Sequence, residues 1–459
     1  MTAGATPRFA APSDDTVIRA MAVVVGAGIA GAPFYRPAAT RELLLGVHVT
    51  AGQATLTVLC LGLALAWWST QPRSYLWADP AWLTWADFGA PPGHTGWRGD
   101  PGSGSRSSGL GRAERMVGSG RERVIARRLV SGWVGRWGVL AYVLAVSGVL
   151  LGWAEMAVGT ALFLAVGAFS LVAARTRPVK GEGVLPLALA AGGAAVSLGG
   201  ITPIVLWGFA ALAVAGTVGL VGRESLAVAT GRSDLVARFA VRLTRRMSVD
   251  FLDVWGLLPP GKPLRPRRFL DGRLIVLRYL LAGVLVRGRS AVGGLLVGVV
   301  VVALHGVFPA VPSQWLLGLG AYLVVVPFAA PIAQLHRTPS LTRWFNHRRA
   351  TFRLTAVVVL TVVAAVWSAV IVVFGLGFSV GALAVPPLVA AAAVRSVTRA
   401  PLDFANLGVV DIGGVLVPSG LIAQLARGPE ALLIGLALLG SGPAGVALAL
   451  GVAVVATLA

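Results

Sequence analysis

Long apolar stretches recur along this chain, and they restrict its fold more than any other feature. A helix needs about 20 mostly apolar residues to cross the hydrocarbon core of a bilayer. Only 12% of the 459 residues are charged, which is roughly half the share found in soluble domains. We therefore predict an all-α, polytopic membrane protein with about 12 (10–12) transmembrane helices. The candidate spans are residues 17–35, 43–68, 134–152, 155–174, 184–200, 203–221, 291–308, 315–335, 354–376, 378–394, 430–441 and 443–459.

The arginines lie in alternate connections between these stretches, and this sets the expected orientation. Cytoplasmic loops of membrane proteins retain Lys and Arg, so the formal charge of +21 does not indicate nucleic-acid binding. We expect a multi-pass membrane protein with both termini in the cytoplasm. Arg36 and Arg41, in the first outer loop, are the discordant pair. The arginine-rich segments are 69–133, 175–182, 222–290, 336–353 and 395–429.

This topology divides the chain into two halves of six spans each. The first is 1–222, with the cytoplasmic loop 69–133, and the second is 291–459. Between them lies a basic linker, 223–290, in which we expect interfacial helices. One helix face there would carry Leu235, Phe239, Leu243 and Met247, with arginines largely on another face. This pattern favours a helix in the membrane interface beside anionic lipids, and a docking surface for a cytoplasmic partner is the alternative. The basic face comprises Arg238, Arg242, Arg245 and Arg246.

A short pattern occurs after the second span of each half, at DPAWLTWAD (79–87) and TPSLTRWFN (338–346). Each begins with a residue suited to cap a helix, followed by Pro at the first helical position. Each then places a large apolar residue and a Trp in register. We interpret this as a trace of internal duplication, with two short helices at equivalent places. The defining positions are Asp79, Pro80, Trp82 and Trp85 in the first segment and Thr338, Pro339, Leu341 and Trp344 in the second.

Two phosphate-binding patterns are present but do not predict a nucleotide site. The GxGxxG at 26–31 lies inside an apolar stretch with no strand before it, where close packing of small residues explains it. The GxxxxGK at 256–262 is followed by Pro263 instead of Ser or Thr, and its own two prolines lack backbone N–H groups. We expect no enzyme activity, cofactor or metal site in this chain. The span centres are almost free of ionisable residues, so an ion relay is not expected either.

The arrangement resembles the membrane subunit (permease) of ATP-binding-cassette exporters, in the fused two-half form of actinobacteria. Residues 265–289 resemble the interfacial entry helix of the second half, and 79–87 and 338–346 lie where coupling helices would. The resemblance implies that a separate ATPase, itself a dimer holding ATP and Mg²⁺, docks on those helices and drives export of an unknown substrate. Membrane anchoring by Trp stays an alternative for both short helices. Alternative functions are a twelve-span secondary transporter, or a non-transport protein such as an assembly factor, a sensor or an enzyme on lipid-linked substrates.

Overall fold

The computed structural model describes most of the chain outside its N-terminal region and some connections. The described residues are 31, 37, 38, 51–81, 83, 110–152, 156–178, 182–199, 203–250, 274–338, 340, 349–399, 409–412, 415–418 and 426–458. The first predicted span, 17–35, therefore lies outside the described residues apart from residue 31.

The described part of the chain is almost entirely helical. The N-terminal helices are α1 Ala51–Thr70, α2 Leu110–Leu151, α3 Met156–Arg175, α4 Val184–Ser197, α5 Pro203–Leu220, α6 Leu226–Ala229 and α7 Arg232–Asp250. The C-terminal helices are α8 Ile275–Val286, α9 Ser290–Val307, α10 Ser313–Val325, α11 Ala330–Arg337, α12 Arg349–Ile371, α13 Val385–Val397, α14 Pro429–Leu439 and α15 Pro443–Leu458. Short 3-10 segments, Val326–Ala329 and Val380–Leu383, precede α11 and α13, and the π-helical segment Val372–Leu376 follows α12.

Seven helices among the described residues are long and apolar enough to cross a membrane, which confirms a polytopic helical protein. Every predicted span except 17–35 coincides with one of these seven or with a shorter apolar helix. The seven are Gly52–Thr70, Glu122–Leu151, Ala157–Arg175, Ser290–Val307, Ser313–Arg337, Ala350–Leu376 and Val380–Val397. The shorter ones are Val184–Ser197, Ile204–Leu220, Ile275–Val286, Pro429–Leu439 and Pro443–Leu458.

Two local features differ from the sequence prediction. Helix α2 begins at Leu110, inside the segment expected as the loop 69–133. Its extra turns are rich in arginine, which is a good helix former, so charge alone does not end the helix. The fold is also not purely helical, because Val409–Ile412 (β1) pairs antiparallel with Val415–Pro418 (β2). The β-branched residues of these strands and the Gly-Gly between them suit a tight hairpin.

The helices bury two large hydrophobic cores. One core is built by residues of α1 to α5, which we call the N-terminal bundle. The other is built by α10 to α15 together with α8, which we call the C-terminal bundle. Helix α13 lies at the centre of the C-terminal bundle, with every residue except Pro387 and Arg395 buried. Its short side chains let the surrounding helices approach closely.

Helix α9 joins the two bundles. Leu296 and Ala303 belong to the N-terminal core, whereas Val301 and Val302 belong to the C-terminal core. The indole N–H of Trp367 on α12 donates to the backbone carbonyl of Gly294 at 2.9 Å. Each bundle thus covers one side of α9.

The two bundles repeat a packing pattern in chain order. Helix α1 packs on α2, α3 and α4, just as α10 packs on α12, α13 and α14. Helix α3 packs on α2 and α5, just as α13 packs on α12 and α15. Five helix pairs thus correspond, whereas the close packing of α14 on α13 and α15, and of α12 on α15, has no counterpart of similar extent among the described residues of the N-terminal bundle.

Candidate functional site

The candidate site is a surface at the end of the N-terminal bundle where α1 and α3 finish, which we call the arginine-rich end. The chain leaves α1 at Thr70 and crosses this end as an irregular segment. The backbone N–H of Ala78 donates to the carbonyl of Leu235 on α7 at 3.3 Å. A small separate core fixes the segment to α2, α6 and α7 and comprises Leu76, Ala78, Leu83, Ile125, Ala227 and Leu235.

Arg73 anchors this segment from within. Its side chain is only 7% exposed and forms an ion pair with Glu182 at 2.9 Å. It also donates to the carbonyl of Ala173 at 3.2 Å. The backbone of Arg73 has φ 49°, a left-handed conformation that is uncommon for a residue with a Cβ. The surrounding contacts therefore stabilise a turn that the local sequence disfavours.

Gln71 and Tyr75 fix the same segment from either side of Arg73. The Gln71 side chain donates to the carbonyl of Glu182 at 3.0 Å. The Tyr75 hydroxyl donates to the carbonyl of Ala174. Burial raises the pKa of Tyr75 to about 12, an effect that nearby Arg73 and Arg238 partly oppose. The phenol therefore stays protonated and remains a donor at physiological pH.

Trp77 is the aromatic centre of the arginine-rich end. The guanidinium carbon of Arg128 lies 3.5 Å from the centre of its ring, and that of Arg242 lies 4.5 Å away. Arg128 also donates to the Trp77 carbonyl at 2.7 Å. Phe239 packs against the ring at 5.5 Å between centroids. Cation–π contacts of this kind hold two like charges near each other.

A cavity of about 200 Å³ opens beside Trp77. Its polar walls include Ser74 and Ser131, and Arg128, Arg136 and Arg242 also line it. No Asp or Glu is among the described residues that line it. The cavity is therefore a basic site of a size that suits a small anionic group.

The predicted helix start at Asp79 and Pro80 is confirmed. The Asp79 carboxylate accepts a hydrogen bond from the backbone N–H of Ala81 at 2.9 Å. The backbone carbonyl of Asp79 accepts another from the backbone N–H of Leu83 at 3.0 Å. In the second segment, Thr338 ends α11, where its N–H donates to the Gln334 carbonyl at 3.1 Å. The other predicted coupling residues lie outside the described side chains, namely Trp82, Trp85, Pro339, Leu341 and Trp344.

The four predicted basic residues of α7 have exposed side chains, but they do not form one uniform face. Arg242 contacts Trp77 and lines the cavity, whereas Arg238, Arg245 and Arg246 do not line it. The apolar face is covered only at its start. Leu235 is fully buried, but Leu243 is 47% and Met247 51% exposed.

Sequence reasoning missed Arg73, Trp77, Arg128 and Glu182. Arg73 and Glu182 are 109 residues apart in the chain, and Trp77 and Arg128 are 51 apart. No short sequence motif predicts contacts between residues so far apart in the chain. The sequence does contain one indication of these contacts, the Gln-x-Arg-x-Tyr-x-Trp spacing of 71–77. Four large polar or aromatic side chains at alternate positions of one segment need hydrogen-bond or packing partners elsewhere in the fold.

Asp, Glu, His and Arg side chains in the described apolar helices lie near the ends of the apolar stretches. Arg136 on α2 is the most internal of these side chains. A membrane span made of the last 20 residues of α2 would begin at residue 132 and would hold Arg136 within its first two turns. His305 is two residues from the end of α9. No group of three or more His, Cys, Asp or Glu that could hold a metal ion occurs among the described residues.

Comparison with known proteins identifies no relative. No protein-family model, no curated protein and no solved structure matches the chain.

Proposed function

We propose that this chain is the transmembrane permease subunit of an ABC-type exporter, energised by a separate ATPase that docks on the coupling helices at 79–87 and 338–346. The observation that carries the proposal is the packing pattern shared by the N-terminal and C-terminal bundles. Transport proteins commonly consist of two such internal repeats with the substrate path between them. In this proposal the two bundles are the two halves of the permease.

The distribution of charge supports an external source of energy. A carrier driven by an ion gradient usually places acids, His or Arg deep in its spans. The described apolar helices keep these residues near their ends. ATP hydrolysis on a partner supplies energy without any such relay, and for this reason we favour it over a secondary transporter.

The segment that begins at Asp79 is suited to transmit force. Its first turn is capped by the Asp79 carboxylate, and Leu83 is buried in the small core shared with α2 and α7. A push on this turn would reach α2 and α7 directly, because the turn is packed on both. The proposed coupling residues Trp82 and Trp85 follow immediately in the sequence, and Leu341 and Trp344 are their counterparts after Thr338 and Pro339.

Co-purification with an ATPase tests the proposal. The bacterial source of the chain should encode a stand-alone ATPase with a Walker motif beside it. We expect that ATPase to co-elute with the full chain and to hydrolyse ATP faster in its presence. The double variant Trp85→Ala, Trp344→Ala should lose both effects, since it removes the aromatic contact of both coupling helices.

Trp207→Ala provides the matched control. Trp207 lies on the apolar helix α5 and is 46% exposed, so its replacement removes one exposed indole outside both coupling segments. The control should retain the ATPase. Equal retention by the Trp85/Trp344 variant would refute the coupling helices, and failure of the unaltered chain to bind any such ATPase would refute the exporter.

A further inference from the structure

The basic cavity beside Trp77 has no acidic partner among the residues that line it. The nearby carboxylates are engaged elsewhere, because Glu182 pairs with Arg73 and Glu122 pairs with Arg175. Three guanidiniums thus share a space of about 200 Å³. Such a concentration of positive charge favours occupation by an anion.

The three arginines differ in how firmly hydrogen bonds and stacking fix their side chains. Arg128 is fixed by its bond to the Trp77 carbonyl at 2.7 Å and by stacking on the ring. Arg136 donates one N–H group to the carbonyl of Gly132 at 2.9 Å. A guanidinium has five N–H donors, so each of these residues keeps further donors for a ligand.

The Trp77 side chain forms one wall of the cavity. Its indole Nε1 is buried away from solvent and has no hydrogen-bond partner among the described residues. The ring therefore serves the site through its contacts with Arg128 and Arg242, and the arginines are its hydrogen-bond donors.

The position of the cavity indicates where the anion comes from. The cavity lies where α1 ends at Thr70 and where α2 enters its apolar part at Trp133. Trp133 stacks on Trp137 at 5.3 Å between centroids, and Trp residues concentrate at the boundary between membrane and water. Leu129 and Trp133 are the apolar side chains of α2 that line the cavity. A lipid headgroup at the boundary between membrane and water would therefore reach it.

We propose that this cavity binds the phosphate of an anionic lipid headgroup. Arg136 and Arg242 donate to the phosphate oxygens, and Arg128 holds Trp77 in place as a wall of the cavity. Arginine suits phosphate because its planar group offers paired donors. The site does not depend on whether an ATPase binds. Free phosphate shares the chemistry, and the experiment separates the two sources.

Ligand-dependent thermal stabilisation of the full chain in neutral detergent tests the site. Short-chain phosphatidylglycerol should raise the unfolding midpoint saturably, whereas zwitterionic phosphatidylcholine should not. Arg242→Gln and the double variant Arg136→Gln, Arg242→Gln should raise the half-saturating phosphatidylglycerol concentration, the latter at least about tenfold, since a charge-assisted hydrogen bond contributes about 1.5–3 kcal/mol. Arg242 is exposed, so its single variant tests the site even if the double variant does not fold.

Arg245→Gln is the matched control, because Arg245 lies on the same helix, is exposed and does not line the cavity. It should respond to phosphatidylglycerol as the unaltered chain does. Inorganic phosphate alone should give no arginine-dependent shift if the ligand is a lipid, and such a shift would support the same site with free phosphate as ligand. Equal responses to both lipids, or equal responses of Arg242→Gln and Arg245→Gln, would overturn the proposal.

Discussion

The two bundles each place a carboxylate at the start of their fifth expected span, and both carboxylates pair with arginine. Glu182, two residues before α4, pairs with Arg73 at 2.9 Å, and the two side chains are 13% and 7% exposed. Glu430, in the first turn of α14, pairs with Arg395 at 2.8 Å, and those side chains are 32% and 21% exposed. The carboxylates occupy equivalent positions, but Arg73 follows the second span whereas Arg395 ends the fourth. The two ion pairs thus differ both in where the arginine lies along the chain and in their burial.

A second difference concerns the atoms that face the helix of the fifth expected span, which is α4 in the N-terminal bundle and α14 in the C-terminal bundle. A Cβ added at Gly193 on α4 would lie 2.8 Å from the Cβ of Cys60 and 3.3 Å from the carbonyl oxygen of Thr57. At Gly435 on α14 the added atom would meet the end of the Leu388 side chain at 2.4 Å. The N-terminal bundle therefore packs α4 against the backbone of α1, while the C-terminal bundle packs α14 against the fully buried side chain of Leu388.

Arg73→Met should have the largest effect on stability. It leaves the buried carboxylate of Glu182 without its charged partner, and breaking a buried pair in this way costs about 3–5 kcal/mol. Methionine keeps a Cβ, so the left-handed backbone at this position is equally strained in both proteins. Unfolding of the purified chain in detergent, followed by circular dichroism against temperature or denaturant, measures the loss.

The double variant Arg73→Met, Glu182→Met is the control for charge. It removes both members of the pair, and such replacements are often neutral or stabilising. We therefore expect it to recover much of the stability lost in Arg73→Met. A double variant as unstable as the single one would show that the hydrogen bond from Arg73 to Ala173, and not the ion pair, anchors the segment.

Gly193→Ala should have an intermediate effect. The new methyl group meets atoms that cannot move without shifting α1, and overpacking of this kind costs about 1–3 kcal/mol. Gly192→Ala is the matched control, because an added Cβ there meets only the Phe209 ring, at an ordinary 3.8 Å. In the same unfolding measurement, Gly193→Ala and Gly435→Ala should both be less stable than Gly192→Ala. Equal stability of the two adjacent variants would mean that α1 and α4 can separate at little cost.

Features that depend on local sequence were the ones that could be predicted. The apolar stretches predicted the helices because every span must be apolar along its own length. The capped start at Asp79 and Pro80 was predictable because a cap involves residues two to four apart. The basic pattern of α7 correctly gave exposed arginines, but the pattern could not show that Arg242 lies over Trp77.

Features that depend on distant contacts could not be predicted. Arg73 was one of many arginines in a basic segment, and only the fold brings it to Glu182. The start of α2 at Leu110 was missed because charge was taken as a sign of loop, although arginine favours a helix. The hairpin 409–418 was missed although its Gly-Gly between β-branched residues is a known signal. Here the local signal existed, and the surrounding helical pattern outweighed it.

Arg395→Met should have the smallest effect and tests the comparison of the two bundles most directly. Both substitutions replace by methionine an arginine that pairs with the carboxylate at the start of the fifth expected span. The burial of the ion pair is therefore the main difference between them. The partly exposed pair should contribute about 0.2–1 kcal/mol. Glu430 also keeps a favourable place after the loss, since its other oxygen accepts the backbone N–H of Gly428 and it lies in the first turn of α14, near the positive end of the helix dipole. Water reaches this pair and screens it, so added salt should reduce the small loss further. A loss in Arg395→Met as large as that in Arg73→Met would show that the pair anchors each bundle by its position in the fold and that its depth of burial has little influence.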